Sequence, residues 1–284
     1  MVVETWKIGR VKVSRVIEMV LPIPPTMLIP DATPENLLPM HGWLKPHFLN
    51  DDHTVPLSIH TFLIESDGAR IMVDTCIGND KPRDLPEWNQ RQSNFLDLLA
   101  ELGVPADAVD VVMCTHLHVD HVGWNTRLVN GRWVPTFPNA RYLFARDEWA
   151  YWKNEVDPFG KEARDDSIVP ILESGLADLV DTNHRVTSEV TLVPTPGHTP
   201  GHVSVLIESA GERAVITGDL FHHPCQFAQP TWADTADVDT GRAAVTRQAF
   251  MDRFSEGTLV LGTHFASPTG GRIVRDGKFY RFDV

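Results

Sequence analysis

The sequence predicts an α/β layered fold, and three observations carry that prediction. Short apolar runs that read as strands alternate along the chain with segments of helical period. Asp-Gly or Asn-Gly pairs sit between alternating apolar runs at three places, the signature of tight hairpins. The chain has 284 residues, 42 % of them hydrophobic, which is enough to bury a large core without disulfides.

The elements follow in chain order. The stretch MVVETWKIGRVKVSRV scatters charges and has no apolar core of a leader peptide, so the expected location is the cytoplasm. From Leu21 to Pro56 prolines recur at a density that excludes a helix or a central strand, yet Met27, Leu28, Leu37, Leu38, Trp43 and Phe48 demand a packing partner. A lid over a site or a wrap that makes a homodimer contact are the two uses such a segment suggests. ESDGARIMVDT is a hairpin turning at Asp67-Gly68. SNFLDLLAELGV places Phe95, Leu98, Leu99 and Leu102 on one helical face, with Gly103 as the cap. PADAVDVVMCTH is a turn and then an apolar strand, and RLVNGRWVPTF is a second hairpin at Asn130-Gly131. NARYLFARDEWAYWKN runs from strand to helix, and VTLVPTPGH and RAVITGD are strands. TGRAAVTRQAFMDRF is a late helix, TLVLGTH a strand, and RIVRDGKFYRF a closing hairpin at Asp276-Gly277. With no repeat or low-complexity linker, residues 1–284 are expected to form one domain, with the lid or wrap at about 21–56.

Acidic residues outnumber basic ones 38 to 25, a net charge of −13, and no Lys/Arg-rich run reverses this locally. That field disfavours nucleic acid and anionic membranes as partners and suits a small neutral or weakly charged molecule. No apolar run approaches the ~20 residues that span a bilayer. Cys76, Cys114 and Cys225 are odd in number and far apart, so they read as buried filler, not as a disulfide framework.

The stretch THLHVDHVG crowds three histidines and an aspartate into six residues. His116 and His118 are two apart, so on an extended backbone their rings share a side. Asp120 and His121 follow where the chain turns towards a helix. Further along, His198, Asp219 and His264 each sit just past the carboxyl end of an apolar strand, where ligands gather in open α/β sheets. Taken singly, each has an ordinary reading as a cap, a turn former or a loop residue. Together they are the imidazole and carboxylate donors that Zn²⁺ and similar ions accept.

The motif THLHVDH, the loop TPGHTPGH, the TGD step and the LGTH step resemble the metallo-β-lactamase superfamily over most of the chain. The resemblance implies an αββα four-layer sandwich with a site along one edge of the paired sheets. It implies that His116, His118 and His198 hold one metal, that Asp120, His121 and His264 hold a second, and that Asp219 bridges them. Asp74, in the strand ending VDT, matches the family's buried aspartate behind the ligands, and His202 falls to a similar supporting role. Two divalent ions are expected, with Zn²⁺ the default and Mn²⁺, Fe²⁺ or Co²⁺ accommodated by the same donors. Such a pair about 3.5–4 Å apart shares a hydroxide nucleophile and polarises the substrate. Asp120 is the expected proton shuttle.

Departures within the family narrow the reaction. Asp219 is present where the true β-lactamases lack a bridging aspartate, and the chain ends in a hairpin where glyoxalase II carries a helical domain. Homoserine-lactone lactonases usually place a tyrosine three residues after that aspartate; here it is His222, which resembles the methyl parathion hydrolase branch and is a candidate catalytic residue. Trp124, Phe221, Phe227 and Phe265, with Trp43 and Phe48 from the proline-rich segment, are the expected apolar pocket. The expected function is hydrolysis of carboxylic esters or lactones, with phosphotriesters as the runner-up. A non-catalytic metal-binding interaction module is the rival from another class, and the intact ligand set argues against it.

Overall fold

Alternation within single strands shows how the layers meet. The structure, a computed structural model, describes residues 4–154 and 162–284. Met1–Val3, the start of the N-terminal stretch considered above, lie outside the described residues. In chain order the strands are β1 (Thr5–Ile8), β2 (Val11–Ile23), β3 (Val55–Ser66), β4 (Ala69–Val73), β5 (Val111–Met113), β6 (Thr126–Val129), β7 (Arg132–Pro135), β8 (Arg141–Ala145) and β9 (Ala177–Val180). The second half adds β10 (Val190–Pro194), β11 (Val203–Ser209), β12 (Glu212–Ile216), β13 (Thr258–Leu261), β14 (Gly270–Asp276) and β15 (Phe279–Asp283). They form a seven-stranded sheet, β1-β2-β3-β4-β5-β8-β9, a six-stranded sheet, β10 to β15 in order, and the hairpin β6-β7.

Val203, Val205 and Ile207 on β11, Ala214 and Ile216 on β12, and Leu261 on β13 point between the sheets, against Phe62 and Ile64 of β3 and Ile71 and Val73 of β4. The intervening residues point outward. Leu63, Met72, Val112 and Tyr142 pack under Phe95 and Leu99 of α3 (Phe95–Glu101), Trp152 of α5 (Arg146–Trp152) and Ile171 of α6 (Val169–Glu173). Leu206, Val215 and Val260 pack under Phe250, Met251 and Phe254 of α7 (Thr240–Phe254). Three apolar interfaces between four layers are the αββα sandwich that the resemblance implied. All three expected hairpins form: the Asp67-Gly68 and Asn130-Gly131 turns have positive φ at both central residues, and Gly277 has it at the third.

The proline-rich segment departs from expectation. β2 runs through Pro22 and pairs it with Pro56 of β3, and α1 (Pro34–Leu37) and α2 (His41–Leu44) are single helical turns. Proline is tolerated in both places for local reasons. β1 covers β2 only as far as Ser14, so Pro22 needs no donor on its other side. Pro34 starts α1 at a position whose N–H has no helical partner, behind Thr33, whose hydroxyl accepts from the Asn36 N–H. Ile29, Leu37, Leu44, Phe48 and Leu49 are buried against the second sheet, so the segment is part of a core layer. Among the described residues, no helix is long and apolar enough to cross a membrane. The three cysteines are buried thiols.

Candidate metal centre

Every donor is delivered by a strand end at the same edge of the sandwich. Asp74 follows β4 directly, His116 lies three residues past β5, and His198 four past β10. Asp219 and His264 lie three past β12 and β13. His118 is extended and caps α4 (Val119–Val122), whose one turn carries Asp120 and His121 inward. The ligating atoms of His116, His118, His198 and Asp219 all lie within 4.8 Å of one another, and those of Asp120, His121 and His264 form a second group on the same criterion.

Asp219 is the centre. Its Oδ2 lies 3.0 Å from Nε2 of His222, 3.2 Å from Nε2 of both His121 and His264, and 3.7 Å from Nε2 of His116 and His198. Five imidazoles thus face one carboxylate oxygen. Gly218 makes that placement possible: its φ is +56°, and a Cβ there would stand 2.5 Å from Nε2 of His202. His202 itself supports Asp219, since its Nε2 accepts from the Asp219 N–H at 2.9 Å while its Nδ1 donates to the Thr195 carbonyl at 3.0 Å.

The hydrogen bonds behind the rings assign their tautomers. The Thr115 hydroxyl donates to Asp74 Oδ2 at 2.9 Å, so it accepts from Nδ1 of His116 at 3.1 Å. His121 Nδ1 donates to Asp74 Oδ2 at 3.0 Å, His264 Nδ1 to the Ser58 carbonyl at 3.0 Å, and His198 Nδ1 to Asp237 Oδ1 at 3.0 Å. Four imidazoles are therefore pinned from behind with their Nε2 lone pairs aimed inward. The Nε2 atoms of His116 and His198 stand 2.9 and 3.0 Å from Nδ1 of His118. His121 Nε2 and Asp219 Oδ1 are buried without a hydrogen-bond partner. A cluster of acceptors that crowds lone pairs together and orphans two of them lacks positive charge, which a divalent cation supplies.

Three of the rings are already neutral, and two others carry protons drawn to them by the carboxylates. Burial holds His116 and His198 well below the usual imidazole range and takes His118 down to about 4, so all three are neutral at pH 7, the form a ligand needs. Burial also opposes charge on His121, but Asp219, Asp120 and Asp74 hold it well above its usual value. His222 is carried up to about 9 against burial by Asp234 and Asp219.

Sequence reasoning brought together His116, His118, Asp120, His121, His198, Asp219, His222 and His264, with Asp74 and His202 behind them. It missed Ser58, Glu148, Asp234, Asp237 and Arg247, which carry no motif and reach the site only through the fold. The aromatic residues lie deeper than expected. Trp124 is 3 % exposed, stacks on Phe95 at 5.6 Å and donates to Glu18 at 2.8 Å. Phe221 stacks on Phe227 at 4.3 Å, and Phe265 packs edge-on against Phe48 and Phe282. Trp43 alone of the six is half-buried, packed on the second cluster with part of its surface open.

Residues 54–267 match the model of the metallo-beta-lactamase superfamily. The chain belongs to that superfamily. Its curated relatives include an N-acyl homoserine lactonase from a Bacillus species, 25 % identical over 59 % of this chain and 65 % of the relative. A probable metallo-hydrolase of Mycobacterium tuberculosis is 26 % identical over 63 % of each. The chain thus spans a little under two thirds of the length of these curated relatives. Among solved structures, the dizinc quorum-quenching lactonase AidC superposes with a TM-score of 0.83 at 19 % identity, covering 99 % of this chain and 96 % of that one. The hydrolase AbOPH superposes with a TM-score of 0.80 at 24 % identity over the same shares. These two likenesses show the fold.

Proposed function

We propose that the chain is a dinuclear metal-dependent hydrolase of carboxylic esters or lactones. The observation that carries this is the convergence of seven donors in two groups around Asp219, four of them with lone pairs fixed inward. In this reading His116, His118 and His198 would hold one ion, Asp120, His121 and His264 would hold the other, and Asp219 would serve both. Two divalent ions, with zinc the natural choice for this donor set, supply Lewis acidity and an activated water. The protein's own groups supply orientation and proton transfer. Asp120, 12 % exposed in its side chain, is the most open of the carboxylates at the centre and is placed to take a proton from the attacking water. His222, with Nε2 aimed at Asp219, is placed to hand a proton to the departing alkoxide.

Buried Phe221, Phe227, Phe265, Phe48 and Trp124 act as a rigid backing that holds the donor loops, and Trp43 is the aromatic side chain left to touch an acyl chain. The lactonase relatives favour a small, weakly charged cyclic ester as substrate, which suits a chain of net charge −13 better than a polyanion does. Neither a nucleic acid nor a membrane is part of this reading. Met27 and Leu38, both more than half exposed on the proline-rich segment, fit a homodimer contact, which light scattering would read directly.

The test joins metal analysis to a substrate panel: a homoserine lactone, an aryl ester, methyl parathion and a β-lactam. Two metals per chain with turnover of the lactone or ester is expected, and Asp219→Ala or His116→Ala should abolish turnover and lower the metal content. Retained activity with normal metal in either variant would sink the assignment. Turnover of methyl parathion alone would move it to phosphotriesters.

A further inference from the structure

The loop from Trp232 to Asp239 carries two buried carboxylates that no motif singles out. The Asp237 side chain is wholly buried. Its Oδ1 accepts from Nδ1 of His198 at 3.0 Å, and its Oδ2 accepts from Nη2 of Arg247 at 2.7 Å and from the Asp234 N–H at 3.0 Å. Arg247, also wholly buried, reaches onward with Nε to the Leu220 carbonyl at 2.7 Å and with Nη1 to the Trp232 carbonyl at 3.1 Å. Leu220 follows Asp219, so one guanidinium ties Asp237 to the chain that carries the central carboxylate. The loop is also stitched to the His198 turn through its backbone: Val238 N donates to the His198 carbonyl and Asp239 N to the Gly197 carbonyl, both at 2.9 Å. Asp234 stands behind a different ring. Its Oδ1 accepts from the Ala236 N–H at 2.8 Å, and its Oδ2 faces Nδ1 of His222 at 3.5 Å. Asp234 Oδ2 and His222 Nδ1 are both buried and find no other partner.

We infer that this loop is a two-carboxylate clamp in which Asp237 and Asp234 are positioning residues with separate duties: Asp237 fixes His198 for metal binding, and Asp234 fixes His222 for the chemical step. The inference rests on the dinuclear reading. Its physical basis is that a carboxylate on Nδ1 fixes the ring angle, so that Nε2 points where it is needed, as a lone pair on His198 and as an N–H on His222. Arg247 occupies the second oxygen of Asp237, which leaves that carboxylate one geometry. Asp234 has no such anchor, and among the described residues the side chain that its Oδ2 faces most closely is His222, a ring outside the proposed ligand set.

The two duties separate in experiment. The full chain would be made as wild type, Asp237→Asn, Asp237→Ala, Asp234→Asn and Asp234→Ala. Zinc affinity would be read by competition with a chromogenic chelator, and kcat and KM on the zinc-loaded protein with the lactone or ester. Loss of a carboxylate behind a ligand typically costs about 10–100-fold in metal affinity. Asp237→Ala should therefore weaken one zinc equivalent by about that factor, with Asp237→Asn falling between it and wild type because one acceptor remains on the ring. Asp234→Ala should leave zinc affinity within about twofold and lower kcat about tenfold or more, with KM little changed. Wild-type zinc affinity in a folded Asp237→Ala or Asp237→Asn variant would overturn the first duty. A fall in zinc affinity in Asp234→Asn equal to that in Asp237→Asn would overturn the division. A wild-type chain that binds no zinc would instead overturn the metal centre, and the clamp with it.

Discussion

Glu148 is 1 % exposed on α5, and its carboxylate is the meeting point of three donors. Leu117 N–H reaches Oε1 at 3.2 Å, Trp152 Nε1 reaches the same oxygen at 2.6 Å, and Gly201 N–H reaches Oε2 at 2.9 Å. Leu117 lies between His116 and His118, and Gly201 lies three residues past His198. One carboxylate therefore joins the two loops that hold three of the imidazoles, and the Trp152 ring packs edge-on against His118 at 5.2 Å. Glu148→Ala would leave three buried N–H groups without a partner, each costing about 1–3 kcal/mol. Two effects offset part of that. Burial already pushes the Glu148 carboxyl above its usual range, so removing it relieves a desolvation cost, and water can enter the vacated space. The net loss expected is about 3 kcal/mol, at the upper end for single substitutions. Glu148→Gln keeps one acceptor but turns an amide donor towards another N–H, for a loss of about 1–2 kcal/mol. Urea unfolding of the metal-free variants, with m unchanged, would read these values. The loosened loops should also lower zinc affinity. A Glu148→Ala variant within about 0.5 kcal/mol of wild type and with unaltered zinc affinity would refute the reasoning, because surface-like substitutions behave that way.

Gly218→Ala should cost about 2–4 kcal/mol and lower zinc affinity, since its Cβ would meet His202 Nε2 at 2.5 Å on a backbone of φ +56°; unfolding and chelator competition check both, and a neutral effect would mean the turn is free to move. Lys81 supplies a pH dependence remote from the metal centre. Its buried ammonium bonds Thr126 Oγ1 and the Asp166 carbonyl and sits 3.7 Å over the Trp133 ring, and burial takes its pKa down to about 7. The unfolded chain keeps that proton to about pH 10.4, so above pH 7 the unfolded state holds more protons and Lys81 makes stability rise with pH, by at most about 1.4 kcal/mol per unit. Lys81→Met should flatten the rise between pH 7 and 9 in urea midpoints, and identical slopes for variant and wild type would discount the effect.

What a chain dictates locally was readable from residues alone. Strand and helix positions follow from apolar period and turn chemistry, and those residues decide φ, ψ and facing within a few neighbours. The candidate donors were legible for the same reason: each follows an apolar strand, and His116 to His121 form one contiguous motif. The resemblance supplied the layer order, which no local pattern contains. Proline density misled at Leu21–Pro56, because Pro22 falls where β2 has no second neighbour and Pro34 where a helix needs no donor. Only the tertiary structure decided that Phe221, Phe227 and Phe265 are core and that Glu148, Asp234, Asp237 and Arg247 stand behind the candidate ligands. Arg247 and His198 are forty-nine positions apart in number, yet they share one carboxylate. Contacts of that kind arise from packing two sheets and their helices together, and a hydrogen bond across that distance leaves no periodic trace in the sequence.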